Sequence, residues 1–303
     1  MPHNPDYTRQ RERTVDNLKR LFALVFSLSF AAAGVNFFGR IKPYLIGTEK
    51  FDDLTFSAIA MNIEIFLVFA VTAGVFYHHG CKFLDKRYAL ADSPPAEPMG
   101  FAIDFLTLVA QVLPFVFMAN ALSGDIYSAY GFTWFFFSYC AAFFGGLLLL
   151  YLGELRSQSD EVSVFGRTSN HGRVVRHYWI LMNSAIMLLI GILFMTWVKL
   201  GYACPLNPAL SGYSFLILFG ILALLRDVFD FFWIWPFQYP QQNEPYEGRL
   251  RWPLNAMAKQ VEHKTRSYKY WLFGGTAICT SAFAMAFYND WFDVLHWSIA
   301  CRG

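Results

Sequence analysis

Residues 54–77 read LTFSAIAMNIEIFLVFAVTAGVFY: 24 positions with a single charged side chain, Glu64. A bilayer core roughly 30 Å thick needs about 20 apolar residues of helix to cross it. This stretch meets that length and is closed by His78-His79 and then Lys82. Its apolar residues do not alternate with polar ones at every second position, which argues for helix over a membrane β-barrel.

Six further stretches behave in the same way. They are Leu21–Phe38, Phe101–Leu122, Gly131–Gly153, His177–Leu200, Ser211–Trp235 and Tyr270–Tyr288. The whole chain is 56% hydrophobic and 15% charged. A soluble domain carries about 25% charge, so one soluble core of this composition would lack a polar coat. The sequence therefore predicts an all-α polytopic membrane bundle of about seven transmembrane helices. The third and fourth stretches are joined through Ser123–Tyr130 and should form a tight hairpin.

The basic residues orient the bundle. Eighteen fall in the N-terminal segment and in every second gap after it, and five in the alternate gaps and C-terminal end. Positive charge is retained on the inner side, so the N-terminus is expected inside and the C-terminus outside. An arrangement of six spans, with the first or seventh stretch lying in the interface, is the alternative. The membrane would be a bacterial plasma membrane or an organellar inner membrane.

Outside the spans the chain divides into a basic inner tail (1–20), inner loops at 78–100, 154–176 and 236–269, and an outer interfacial segment (289–303). Residues 21–288 form a single transmembrane domain. Within the third loop, 252–267 places Leu254, Met257, Ala258 and Val261 at helical spacing among basic residues. That pattern suits an amphipathic helix on the inner interface. The basic run Arg9–Arg20 reads as an inner-side anchor beside a first span, touching anionic headgroups, and no nucleic-acid partner is expected. The first stretch lacks a small-residue cleavage site and is read as a retained helix.

Ionisable groups inside spans are costly, about 2.5–3.5 kcal/mol at the centre on insertion scales, and are candidate functional groups. Counting from Leu54, Glu64 falls near mid-bilayer, with Asn62 beside it. It is read either as a proton or cation site or as a neutral carboxyl bonded to a neighbouring helix. A second set is Arg226, Asp227 and Asp230, in the inner half of the sixth stretch. Arg226 and Asp230 are four apart and share a helix face. Asp227 points about 100° away and needs another partner, for which Asp104 lies at similar depth. This set is read as a polar pocket or ion path, or as an internal ion-pair lock.

His78, His79 and His177 gather at the inner ends and form a candidate metal or haem site. The run Arg176-His177-Tyr178-Trp179 resembles the approach to a haem-ligating helix in b-type cytochromes. Such sites pair histidines on facing helices, and no second histidine lies inside a span, so neither haem nor a metal is expected; bound lipids are. Cys204 and Cys301 both fall on the outer side, where a disulfide is chemically allowed; two unpaired thiols is the alternative.

No nucleophile elbow, zinc-hydrolase motif, phosphate-binding loop or dinucleotide glycine pattern occurs in the sequence. The expectation is a non-catalytic subunit of a larger membrane assembly, in contact with other membrane subunits or with copies of itself. Cytochrome oxidase subunit III shares the layout at the level of topology alone, which makes an energy-transducing assembly one setting. The alternatives are a channel or transporter for protons or small ions, and then an enzyme acting on lipid or quinone.

Overall fold

The computed structural model describes residues 5–49, 53–84, 98–123, 134–146, 179, 182–193 and 208–230. Those residues form six helices and no strand. They are α1 (Pro5–Leu45), α2 (Asp53–Leu84), α3 (Pro98–Ala121), α4 (Trp134–Gly146), α5 (Met182–Leu193) and α6 (Pro208–Phe229). α1 and α2 are long and apolar enough to cross a membrane. The seventh stretch, the inner segment 252–267 and the outer segment 289–303 lie outside the described residues.

α1 is longer than its apolar run because the basic tail is part of the same helix. Val15, Leu18, Phe22, Phe26, Ser29, Ala33, Phe37 and Ile41 are all buried along it. Their three-to-four-residue spacing makes one continuous inward stripe, which carries helix order from the tail into the span. The helix stops for two local reasons. Pro43 has no amide to donate in the last turn. Gly47 then adopts a left-handed φ of 73°, the conformation that closes a helix at the residue after its cap.

The opposite face of α1 is apolar as well. Between Arg20 and Lys42 its exposed large side chains are Leu21, Leu24, Leu28, Val35 and Phe38. Ser27, also exposed there, turns its hydroxyl back to the Ala23 carbonyl at 2.7 Å. Twenty-one residues of helix make a strip about 31 Å long, the thickness of a hydrocarbon core.

Contacts between helices fix their relative directions. Phe22 stacks on Tyr77, Phe30 packs on Phe69 and Phe37 stacks on Phe66, so α1 and α2 are antiparallel. Phe26 meets Phe115, and Asn36 donates to the Ala119 carbonyl at 2.9 Å, so α3 runs with α1. Thr72 bonds Asp227 and His79 bonds Asp230, so α6 runs with α2. α4 also runs with α6, through Phe136 on Phe219 and Phe143 under Arg226. Trp179 and Asn183 meet Asp230 and Arg226 in reversed order, so α5 opposes α6. Direction therefore alternates from each helix to the next.

Aromatic rings fill the centre. Phe76 of α2 contacts Phe115 at 5.2 Å, Phe143 at 5.1 Å and Trp179 at 6.4 Å. Phe115, Phe135, Phe136, Tyr139 and Phe143 are fully buried. These rings are packing elements between helices, where pairs contribute about 0.5–1.5 kcal/mol beyond their burial.

Candidate functional site: charged side chains between α2, α5 and α6

α6 is built inside out. Its exposed face carries Ile217, Leu218, Ile221, Leu225, Val228 and Phe229, and its buried face carries Phe219, Ala223, Arg226, Asp227 and Asp230. A helix in water places its charges on the exposed face. Here the charges turn inward and find one another.

Arg226 is 0% exposed, and each guanidinium nitrogen has its own acceptor. Nε donates to Asn183 Oδ1 at 2.8 Å, Nη2 to Asp230 Oδ2 at 2.9 Å, and Nη1 to Asp227 Oδ1. The guanidinium carbon also lies 4.4 Å from the Phe143 ring centroid, 5.6 Å from Trp179 and 5.9 Å from Phe76. Such face contacts add about 2 kcal/mol when desolvated. Asn183 is itself held by donating to the Trp179 carbonyl at 2.7 Å.

The carboxylates are shared across helices. Asp227 Oδ2 accepts from the Thr72 hydroxyl at 2.7 Å. Asp230 Oδ2 accepts from Arg226, from Trp179 Nε1 at 3.2 Å, and meets His79 Nε2 at 2.9 Å. Asp230 Oδ1 is buried and has no partner among the described residues. Arg226 and Asp230 thus pair through their shared helix face. Asp227 does not need a separate cation, because the long guanidinium reaches both carboxylates.

A second polar junction stands at the other end of the bundle. Arg40 of α1 is buried; Nη1 donates to Asn62 Oδ1 at 2.5 Å, and Nη2 to the carbonyls of Ala121 (3.3 Å) and Ser123. The last carbonyls of a helix lack intrahelical donors and carry partial negative charge, so a cation there caps α3 and ties it to α1 and α2. Asn62 is engaged in this junction and lies on the side of α2 away from Glu64.

Glu64 meets α6 at Gly220, where an added Cβ would collide with its carboxylate. The described residues supply it with no hydrogen bond or ion pair. On α2, Asn62 and His79 are 17 residues apart, about 26 Å. Glu64 lies about 3 Å from the Asn62 level and Thr72 about 15 Å from it. Asp227 lies level with Thr72, about 12 Å further along α2 than Glu64.

Of the other expected residues, Asp104 lies on α3 with its side chain outside the described residues. His177, Cys204 and Cys301 are also outside them. His78 and His79 sit 6.1 Å apart, ring to ring, on the last turns of α2. Among the described residues no group of three or more histidine, cysteine or acidic side chains is arranged to hold a metal ion.

Three features of the cluster escaped the sequence reading: Thr72, the donor role of Trp179 and the Asp230-facing role of His79; Asn183, an amide inside an apolar stretch, is legible there as a hydrogen-bonding link between helices. A signal existed on α2. Thr72 and His79 are seven apart, hence on one face, and Glu64 lies eight before Thr72. Arg40 follows the first apolar stretch, and nothing in the local sequence marks it as a cap for another helix.

Among the described residues the arrangement is all-helical, with two helices long and apolar enough to cross a membrane and an ion-paired cluster buried where α6 meets its neighbours. Comparison with known proteins finds no matching family model, no similar curated protein and no similar solved structure.

Proposed function

We propose that the chain is a seven-span integral membrane protein, N-terminus inside and C-terminus outside, that serves as a non-catalytic subunit of a larger membrane assembly. The observation that carries this reading is the inverted polarity of α6, with Arg226, Asp227 and Asp230 buried and an aliphatic face exposed. Lipid is the solvent in which that arrangement costs least. The apolar strip on α1 and the alternating helix directions support the same conclusion.

The subunit role is supported by the closed state of the polar core. Every nitrogen of Arg226 is engaged by the protein, so the cluster binds helices to one another. What remains for outside contact is the apolar surface of the bundle and the tail of α1, where Arg9, Glu12, Arg13, Asp16 and Arg20 are exposed. Lipid and neighbouring subunits, or further copies of the chain, are the partners this surface suits. A bacterial plasma membrane or an organellar inner membrane fits the basic inner side.

A second reading, a path for protons or small ions, is favoured by one feature. Glu64, Thr72 with Asp227, and His79 with Asp230 all lie along the seam between α2 and α6. One purification separates the two readings. Native mass spectrometry of the chain drawn from its own membrane in mild detergent is expected to show fixed partners in constant ratio. A stable homomer alone would contradict the subunit role. Proton flux from that homomer in liposomes, abolished by Glu64→Gln, would transfer the function to the second reading.

A further inference from the structure

We propose that His79 and Asp230 form a binding site for one exchangeable proton, which completes the charge balance of the buried cluster and enters from the His79 end of the pair. The inference begins with a charge count. Arg226 supplies one positive charge, and Asp227 and Asp230 two negative ones, at side chains that are 0–1% exposed. A net charge left in a medium of low polarity is expensive, and proteins remove it by pairing or by protonation. A described group on the cluster able to carry a further positive charge is His79, whose Nε2 lies 2.9 Å from Asp230 Oδ2. A proton held between those two atoms brings the count to zero.

The geometry also gives the proton a route. The side chain of His79 is 24% exposed and that of Asp230 1%, so the imidazole is the end of the pair that reaches out of the core. Asp230 Oδ1 is buried without a described partner, so the carboxylate is oriented through Oδ2. Trp179 Nε1 fixes Oδ2 from the other side and keeps the carboxylate aimed at the imidazole.

The surroundings contribute no further compensating charge among the described residues. α2 presents His78 and Thr72 near the pair. Trp179 and Asn183 approach from the α5 side, and Tyr139 and Cys140 stand on α4. α1 and α3 meet this end of α2 through Phe22 and Leu108 at Gly80, neither of them titratable. The proposal stands whether the chain works as a subunit or as an ion path, because it concerns the neutrality of the cluster.

Melting of the purified full-length chain in detergent, at about pH 6 and about pH 9, brackets the range in which an imidazole titrates. A proton bound only by the folded protein adds stability on the acid side, and that stability is lost as pH rises. The wild type is expected to melt several degrees higher at the acid pH, in excess of the shift common to all variants. Asp230→Asn leaves Arg226 and Asp227 already balanced, so the acid excess should vanish. His79→Gln should reduce it and lower the melting point, and His79→Gln/Asp230→Asn should match Asp230→Asn at both pH values. Equal acid excess in the wild type and Asp230→Asn, or no excess in the wild type, overturns the proposal. Should the Asp230 variants fail to fold, His79→Lys decides. Its fixed charge removes the acid excess if the proposal holds, and an undiminished excess overturns it.

Discussion

Arg226→Leu is expected to abolish the folded bundle. The substitution removes the guanidinium from the cluster and leaves Asp227 and Asp230 buried together. Breaking a buried ion pair from one side costs about 3–5 kcal/mol, against a total stability of about 5–15 kcal/mol for an ordinary domain. Asn183 loses the partner of its carbonyl oxygen in the same step. Arg226→Lys should recover little, because an ammonium cannot serve three acceptors arranged around a planar guanidinium. The triple variant Arg226→Leu/Asp227→Asn/Asp230→Asn should recover most of the stability, since replacing a whole buried ionic set is often close to neutral. Size-exclusion profiles and melting curves in detergent read all three. A single variant as stable as the wild type would remove the cluster from its structural role.

Gly80→Ala is expected to be the most damaging alanine substitution at any described glycine. A Cβ at Gly80 would lie 2.5 and 2.6 Å from two ring atoms of Phe22, and 3.4 Å from a methyl of Leu108. Phe22 is 2% exposed. It is held edge-on by Phe26 at 4.9 Å and stacked on Tyr77 at 5.6 Å, so it cannot turn aside without disturbing both. Overpacking of this kind costs about 1–3 kcal/mol, more than the gain of up to about 1 kcal/mol from replacing glycine in a helix. Phe22→Leu in the Gly80→Ala background should restore part of the loss. At Gly220 the obstacle is mainly the end of the Glu64 chain, which can swing away, so alanine there should cost less. Gly74, Gly145 and Gly191 have open space at the Cβ position, and alanine should be tolerated at each. A melting point for Gly80→Ala equal to those three would show that α1, α2 and α3 are not packed as described.

The helical class and the long apolar helices were legible in the sequence because hydrocarbon imposes a length and forbids unpaired backbone. The link between Arg226 and Asp230 was legible for a local reason, their separation by one helical turn. What escaped depends on which helices become neighbours. Thr72, Asn183 and Asp227 are remote in sequence and meet only because α2 and α5 both pack on α6. Asp227 appeared to need its own partner because adjacent residues diverge by about 100° on a helix. The reach of the arginine side chain overcomes that divergence. Arg40 lies just past the first apolar stretch, and the unpaired carbonyls at the end of α3 draw it into the bundle. Trp179 is a buried hydrogen-bond donor to Asp230, a role that no local pattern signals. In each case the sequence states what a residue is able to bond, and the packing of distant helices selects the partner.

The most direct test of the membrane reading is the sidedness of the helix ends. Single cysteines at Arg13, Glu49 and Ser123, in a variant whose five native cysteines are replaced, are labelled with a membrane-impermeant maleimide in sealed cells or vesicles and again after lysis. The account predicts that positions 49 and 123 react in sealed, right-side-out preparations, and that position 13 reacts only after the membrane is opened. Labelling of all three from one side would contradict it.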